Sequence, residues 1–203
     1  MNNKKKIIFA TTNEGKMKEI RMIMSDLNVE LYSLKDMNIS VDIEENGATF
    51  EENAIIKAKA ISELTGEMVL ADDSGLEVDY MDKAPGVFSA RYMGEDTPYS
   101  VKNQQILDNL KDAEGDERSA RFVCAIAAAC PDGRVFTTQA TIEGLIAPEM
   151  RGVNGFGYDP LLFVPEYNMT TGEMDPVMKN KISHRGKALE KMKEKLRNEG
   201  FDC

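Results

Sequence analysis

The stretch Met68-Val69-Leu70-Ala71-Asp72-Asp73-Ser74-Gly75 sets two adjacent carboxylates and a hydroxyl against the end of an apolar run. Burying charge is costly unless it is paired, so an ordinary core does not end this way. The apolar part predicts a short buried strand over 68–71. The aspartates then emerge at its C-terminal edge, where open α/β sheets hold their ligands. Neighbouring side chains on an extended chain point to opposite faces, which leaves one carboxylate for a metal or a water while the other is braced by backbone donors. An Asx turn relieved by Gly75 accounts for one aspartate but poorly for two.

With 203 residues, 42% of them apolar, the chain can bury one sizeable core. No apolar run approaches the ~20 residues that span a bilayer, so no membrane is expected. The opening Met1-Asn2-Asn3-Lys4-Lys5-Lys6 leads into an apolar run too short for a signal peptide, which points to the cytoplasm. Cys124, Cys130 and Cys203 are odd in number and fit reduced thiols. A formal charge of −10 speaks against a nucleic-acid partner. The single histidine, His184, excludes a histidine-built zinc site, and no cysteine pair has finger spacing. Any metal should be oxygen-bound, Mg2+ first and Mn2+ next.

Periodicity predicts a strand over 6–10, a turn at Thr11-Thr12-Asn13-Glu14 and a helix over 15–26 with Met17, Ile20, Ile23 and Met24 in phase. A second strand follows over 29–33, then a polar loop over 42–47. Thr49 and Glu52 form a capping box for a helix that should stop at Gly66. Beyond Ala84-Pro85-Gly86, Thr97-Pro98 opens a helix through Leu110. An apolar strand over 121–129 turns at Pro131-Asp132-Gly133 into a hairpin partner over 135–146, so the sheet should be mixed. A glycine-rich loop over 152–160 precedes a strand over 161–164, and 183–197 is the last helix. No linker divides the chain, which predicts a single domain over 1–203.

Four further segments carry donors or charge. Thr11-Thr12-Asn13-Glu14-Gly15-Lys16 lies where a strand hands over to a helix and offers free backbone donors and a lysine to an anion. It is no P-loop, since that pattern needs glycine at Ala10 and a hydroxyl at Met17. A helix cap with a solvated lysine explains it equally well. Glu44-Glu45 read most simply as favourable charges before a helix, while Asn53 and Lys57 lie four apart on one face. In Gly155-Phe156-Gly157-Tyr158-Asp159 small residues admit a ligand and the aromatics can stack on it, or simply pack down. Lys179 and Ser183-His184-Arg185 stand at a helix start, where Ser183 is a natural cap and Arg185 offers a fork suited to a phosphate or a base carbonyl. Cations for phosphates, carboxylates for Mg2+ and a flat slot for a base together suit a nucleoside triphosphate.

Those same segments resemble the inosine/xanthosine triphosphate pyrophosphatases, the Ham1-like family, over nearly the whole length. The matching pieces are Thr11-Thr12-Asn13 with Lys16, Thr49-Phe50 with Glu52-Asn53-Ala54 and Lys57-Ala58, residues 71–76, Pro85-Gly86 with Ser89-Ala90-Arg91-Tyr92, residues 155–160, and Ser183-His184-Arg185-Gly186. The resemblance implies an α/β fold with a mixed, elongated central sheet flanked by helices, two lobes around an active-site cleft, a homodimer, and Mg2+-dependent hydrolysis of ITP, dITP and XTP to monophosphate and pyrophosphate. By the same resemblance Asp73 is the general base, and Glu44 and Asp73, with Asp72 nearby, surround the metal. Thr11, Thr12, Asn13, Lys16, Lys57 and Ser74 meet the triphosphate. Phe156, Gly157, Tyr158, Asp159, Lys179, His184 and Arg185 read a 6-oxo purine. Thr12 stands where members often carry glycine. Two rivals remain: a nucleotide sensor, which has no need of Asp73, and a hydrolase for other modified nucleotides.

Overall fold

Ile7, Ile8 and Phe9 are all buried, which makes the first strand, β1 (Lys5–Phe9), an interior one covered on both faces. The computed structural model describes residues 5–200. After β1 come α1 (Glu14–Ile23), β2 (Val29–Ser33), α2 (Phe50–Thr65), β3 (Val69–Val78) and α3 (Tyr99–Asn109). They are followed by β4 (Ser119–Ala129), β5 (Val135–Ile146), β6 (Leu162–Val164), β7 (Met169–Thr170), α4 (Pro176–Ile182) and α5 (His184–Asn198). The strands join one sheet in the order β2-β1-β3-β4-β5-β6-β7. β1 runs parallel to β2 and β3, whereas β6 is antiparallel to β5 and β7, so the sheet is mixed as expected.

The chain divides into two compact units: residues up to Asp73 with Cys124–Ala140 and the chain from Arg185 onward, and Ser74–Val123 with Thr141–His184. The first unit's core gathers Ile7, Phe9, Met17, Ile20, Leu70, Ile126, Leu189 and Met192. Its α1 and α5 are fastened by the buried Lys193, whose ammonium donates to Ile23 O at 2.7 Å and to Asp26 at 2.8 Å. The second unit's core gathers Leu76, Val78, Ile106, Phe122, Ile142, Leu161 and Leu162. There Arg118 donates to the carbonyls of Leu110, Ala113, Ile146 and Ala147, satisfying groups a loop would otherwise bury unpaired.

The local signals explain the helix ends. Asn13 caps α1 by accepting from Lys16 N–H, and Gly66 closes α2 in the left-handed conformation at φ 67°. Thr49 caps α2 as predicted, but the return half of the expected box goes elsewhere: Glu52 accepts from Ala48 N–H at 2.7 Å. α4 and β7 escaped the periodicity argument because both are short. α4 nevertheless had a local signature, since Asp175 caps it by accepting from Val177 and Met178 and Pro176 opens its first turn.

One expectation about β3 is corrected. The strand does not end at Ala71 but continues through Asp72 and Asp73 to Val78, so the two aspartates lie in mid-strand rather than at an edge. Gly75 is no turn residue either: a Cβ there would come within 2.3 Å of Ser89 Oγ and 2.5 Å of Gly86 O, so glycine serves close packing. Ser89 Oγ in turn donates to Gly86 O and accepts from Leu76 N–H. Cys124 and Cys130 are buried, unpaired thiols, and burial pushes the Cys124 thiol up to about 12. Cys203 lies outside the described residues.

Candidate active site

Among the described residues, most of the charged side chains singled out in the sequence gather in two clusters, one in each unit. In the first, β3 presents Asp72 and Asp73 to different partners, as strand alternation requires. Asp72, 1% exposed, accepts from Lys16 Nζ at 3.0 Å through Oδ1 and from the Arg185 fork at 3.3 and 3.1 Å through Oδ2. The far side of that fork, Nη1, donates to Glu19 of α1. Asp73 accepts from Asn53 Nδ2 at 3.2 Å and from Lys57 Nζ at 3.3 Å, and Lys57 also donates to Glu45 at 3.0 Å. Asn53 and Lys57 share a face of α2 through their four-residue spacing. Asn53 Oδ1 also accepts from Gly47 N–H, which ties the acidic loop to the same place.

The two carboxyls are driven apart. Burial by itself would raise Asp72, but Lys16, then Arg185 and Lys57, overcome it and hold the carboxyl well below the ordinary range. At Asp73 burial prevails: Lys57 and Lys16 offset it only in part, Glu45 and Asp72 add to it, and the carboxyl rises. The Lys57 ammonium is also raised, because the attraction of Asp73, Asp72 and Glu45 outweighs its burial. The Lys57–Asp73 attraction favours both charges alike; the two groups differ because burial and the neighbouring acids oppose ionisation of Asp73, whereas those acids support the lysine's charge. A carboxyl raised beside one held ionised is how a fold separates an acid–base group from a fixed charge.

Sequence reasoning placed Glu44 at the metal, and the two neighbouring glutamates have different surroundings in the structure. Glu44 is exposed, whereas half-buried Glu45 shares Lys57 with Asp73. Among the described residues no cluster of three or more acidic, histidine or cysteine side chains is arranged for a metal. Mg2+ requires less, one or two carboxylates plus substrate phosphates and water, and the Glu45 and Asp73 oxygens are hard donors of that kind. The donor set therefore fits Mg2+ or Mn2+.

The expected phosphate loop has its strand-to-helix position. Thr11 Oγ1 accepts from Asn13 N–H at 3.1 Å, Thr12 is exposed, and Asn13 is the cap. Lys16 is engaged by Asp72 rather than wholly solvated. Ser74 lies half-buried on β3, in the second unit.

The second cluster forms around Asp159. Its Oδ2 accepts from Phe156 N–H at 2.8 Å and from Lys179 Nζ at 2.6 Å, and Lys179 lies 5.3 Å from the Phe156 ring centroid. Gly155, at φ 77°, has room only for hydrogen, because a Cβ would sit 2.1 Å from Asp159 Oδ2. Tyr158 packs down instead of stacking outward: its hydroxyl donates to Ser89 O at 2.7 Å and its ring meets Tyr99 edge-on. Gly157 O accepts from Asn103 Nδ2. His184 stacks on Phe122 with centroids 4.9 Å apart. Arg185 belongs to the first cluster, its side chain 2% exposed between Asp72 and Glu19.

The sequence profile of the Ham1 family matches residues 7–195. The chain belongs to the Ham1 family. Relatives within it include the dITP/XTP pyrophosphatase of Desulforamulus reducens, 48% identical over 94% of this chain and 95% of that protein. The dITP/XTP pyrophosphatase of Clostridium perfringens is 48% identical over 95% of this chain and 98% of its own. Among solved structures, a HAM1 protein from Coxiella burnetii superposes with a TM-score of 0.86 at 41% identity, covering 96% of this chain and 99% of that one. The Staphylococcus aureus Ham1 protein gives a TM-score of 0.84 at 36% identity, over 96% and 100%.

Within this Ham1 chain three participants escaped sequence reasoning. Glu19 was visible as an acid beside the apolar positions Met17 and Ile20 of α1. Glu45 could not be told from Glu44 because a loop has no period. Thr171, which donates to Asp159, had no local signal at all.

Proposed function

We propose that this chain hydrolyses dITP, ITP and XTP to the monophosphate and pyrophosphate, removing them from the nucleotide pool. The observation that carries the reading is the pair of adjacent β3 carboxyls with opposed proton affinities, in a chain nearly half identical to relatives named for that reaction. Water attacks the phosphorus that carries the nucleoside, and the anhydride bond to the outer two phosphates breaks. Asp73 takes the proton from the water, a role its raised pKa suits. Asp72, held ionised, is the fixed negative charge that orients Lys16. Lys16 and Lys57, with the Thr11-Thr12-Asn13 donors and Ser74, meet the triphosphate and stabilise the charge that spreads over its oxygens. Mg2+, held by Glu45 and Asp73, would neutralise charge on the phosphate oxygens when bound.

Phe156 stacks on the base, and Lys179 and His184 present donors to a carbonyl at position 6. An adenine amino group there leaves a donor unpaired, which costs about 1–3 kcal/mol. Arg185 acts as a positioning residue for Asp72. A homodimer belongs to the same reading on resemblance alone, and a cytoplasmic location on the short apolar run that follows Lys6.

The deciding experiment measures pyrophosphate release with Mg2+ from ITP, XTP, dITP, ATP, GTP and a modified pyrimidine triphosphate. Strong turnover of the first three is expected. Equal turnover of ATP removes the base selection, preference for the pyrimidine transfers the chain to another substrate class, and binding without release makes it a sensor.

A further inference from the structure

Thr171 has one hydroxyl proton and two Asp159 oxygens within reach, the backbone O at 3.0 Å and Oδ1 at 2.9 Å. The backbone oxygen already accepts from Gly172 N–H at 2.8 Å, and a carboxylate is the stronger acceptor, so the proton goes to Oδ1. That bond has a mechanical consequence. The terminal torsion of an aspartate is broad and soft, and a carboxylate held through one oxygen alone can rotate. Asp159 is held through both, with Thr171 on Oδ1 and with Phe156 N–H and Lys179 Nζ together on Oδ2. Thr171, Asp159 and Lys179 are all 4% exposed or less, so water does not compete for these bonds. One locked carboxylate thus holds both the Phe156 backbone N–H and the Lys179 ammonium, which stands 5.3 Å from the Phe156 ring centroid.

We propose that Thr171 is a positioning residue for base selection. Its hydroxyl fixes the Asp159 carboxylate, and through it the Phe156 ring and the Lys179 ammonium, at the separation that a purine with a carbonyl at position 6 requires. Asp159 thereby acts as the frame of the recognition site. The inference deepens the function proposed above and rests on it.

Thr171→Val keeps the shape and deletes the proton. In the full chain, kcat/KM for ITP relative to ATP is expected to fall about tenfold, mostly through a higher KM for ITP, while kcat stays within about twofold. Thr171→Ser should restore the ratio. Thr171→Ala removes the hydroxyl without adding bulk and gives the same readout if the valine variant does not fold. A merely structural role would lower activity on both nucleotides alike and leave the ratio untouched, and that result in the valine or alanine variant overturns the inference. Equal cleavage of ITP and ATP by the unmodified protein overturns the function reading and the inference with it, and it is recognised before any substitution is made.

Discussion

Asp72 and Asp73 are consecutive residues of one strand, yet the protein lowers the proton affinity of the first and raises that of the second. Both are buried. The difference lies in their partners: Asp72 faces Lys16 and Arg185, whereas Asp73 shares Lys57 with Glu45 and otherwise meets the neutral amide of Asn53.

Neutralising each in turn should therefore separate stability from catalysis. Asp73→Asn is expected to lose at least about 100-fold in turnover while folding normally. Asp72→Asn should destabilise by about 3–5 kcal/mol, because it leaves a buried guanidinium short of a counter-charge. Steady-state rates and urea unfolding of both variants check this, and a fully active Asp73→Asn would remove that residue from the mechanism.

The pH dependence follows from the same directions. A carboxyl lowered on folding stabilises the native state above its unfolded pKa, about 3.9, and loses that contribution as pH falls through the native value. A carboxyl raised on folding does the reverse: its charge opposes folding at neutral pH, and the penalty fades as pH falls through the raised value towards the unfolded one. Asp73→Asn should thus gain stability relative to the parent between about pH 4 and pH 7, the difference between the two changing through the raised value and levelling off by about pH 4. A gap that does not change with pH contradicts the raised pKa.

Arg185→Ala is expected to lower stability by about 3–5 kcal/mol, since it strands the buried Asp72 and Glu19 without their shared cation. Thermal and urea unfolding test it. A stable variant with altered base preference would return Arg185 to the base site.

Glu45→Gln should raise the Mg2+ concentration needed for half-maximal turnover about 10- to 100-fold, while Glu44→Gln stays near the parent. Chelation should stop turnover and Mg2+ restore it. The opposite ranking of the two glutamates in a Mg2+ titration would reinstate Glu44.

Much of this was legible in the chain. Thr49 and Gly66 punctuate α2, the apolar period of Met17, Ile20 and Met24 marks α1, and Asn53 and Lys57 follow from a spacing of four, because each is a local rule that acts within a few residues. The charged pair on β3 announced a site for the same reason: adjacent acids on an apolar run need partners wherever they lie.

Which partners they receive was beyond local rules. Arg185 is 113 residues from Asp72 and 166 from Glu19, and Thr171 sits on a segment with no motif of its own. The residues themselves determined the α/β elements, their caps and the existence of a polyanion-handling centre. Tertiary structure alone decided that β3 runs on through the aspartates, that Glu45 rather than Glu44 joins Asp73, and that Arg185 is buried on carboxylates. The reason is electrostatic: a buried charge takes its proton affinity from whichever groups packing brings within a few ångströms, and that distance is not a function of position along the chain.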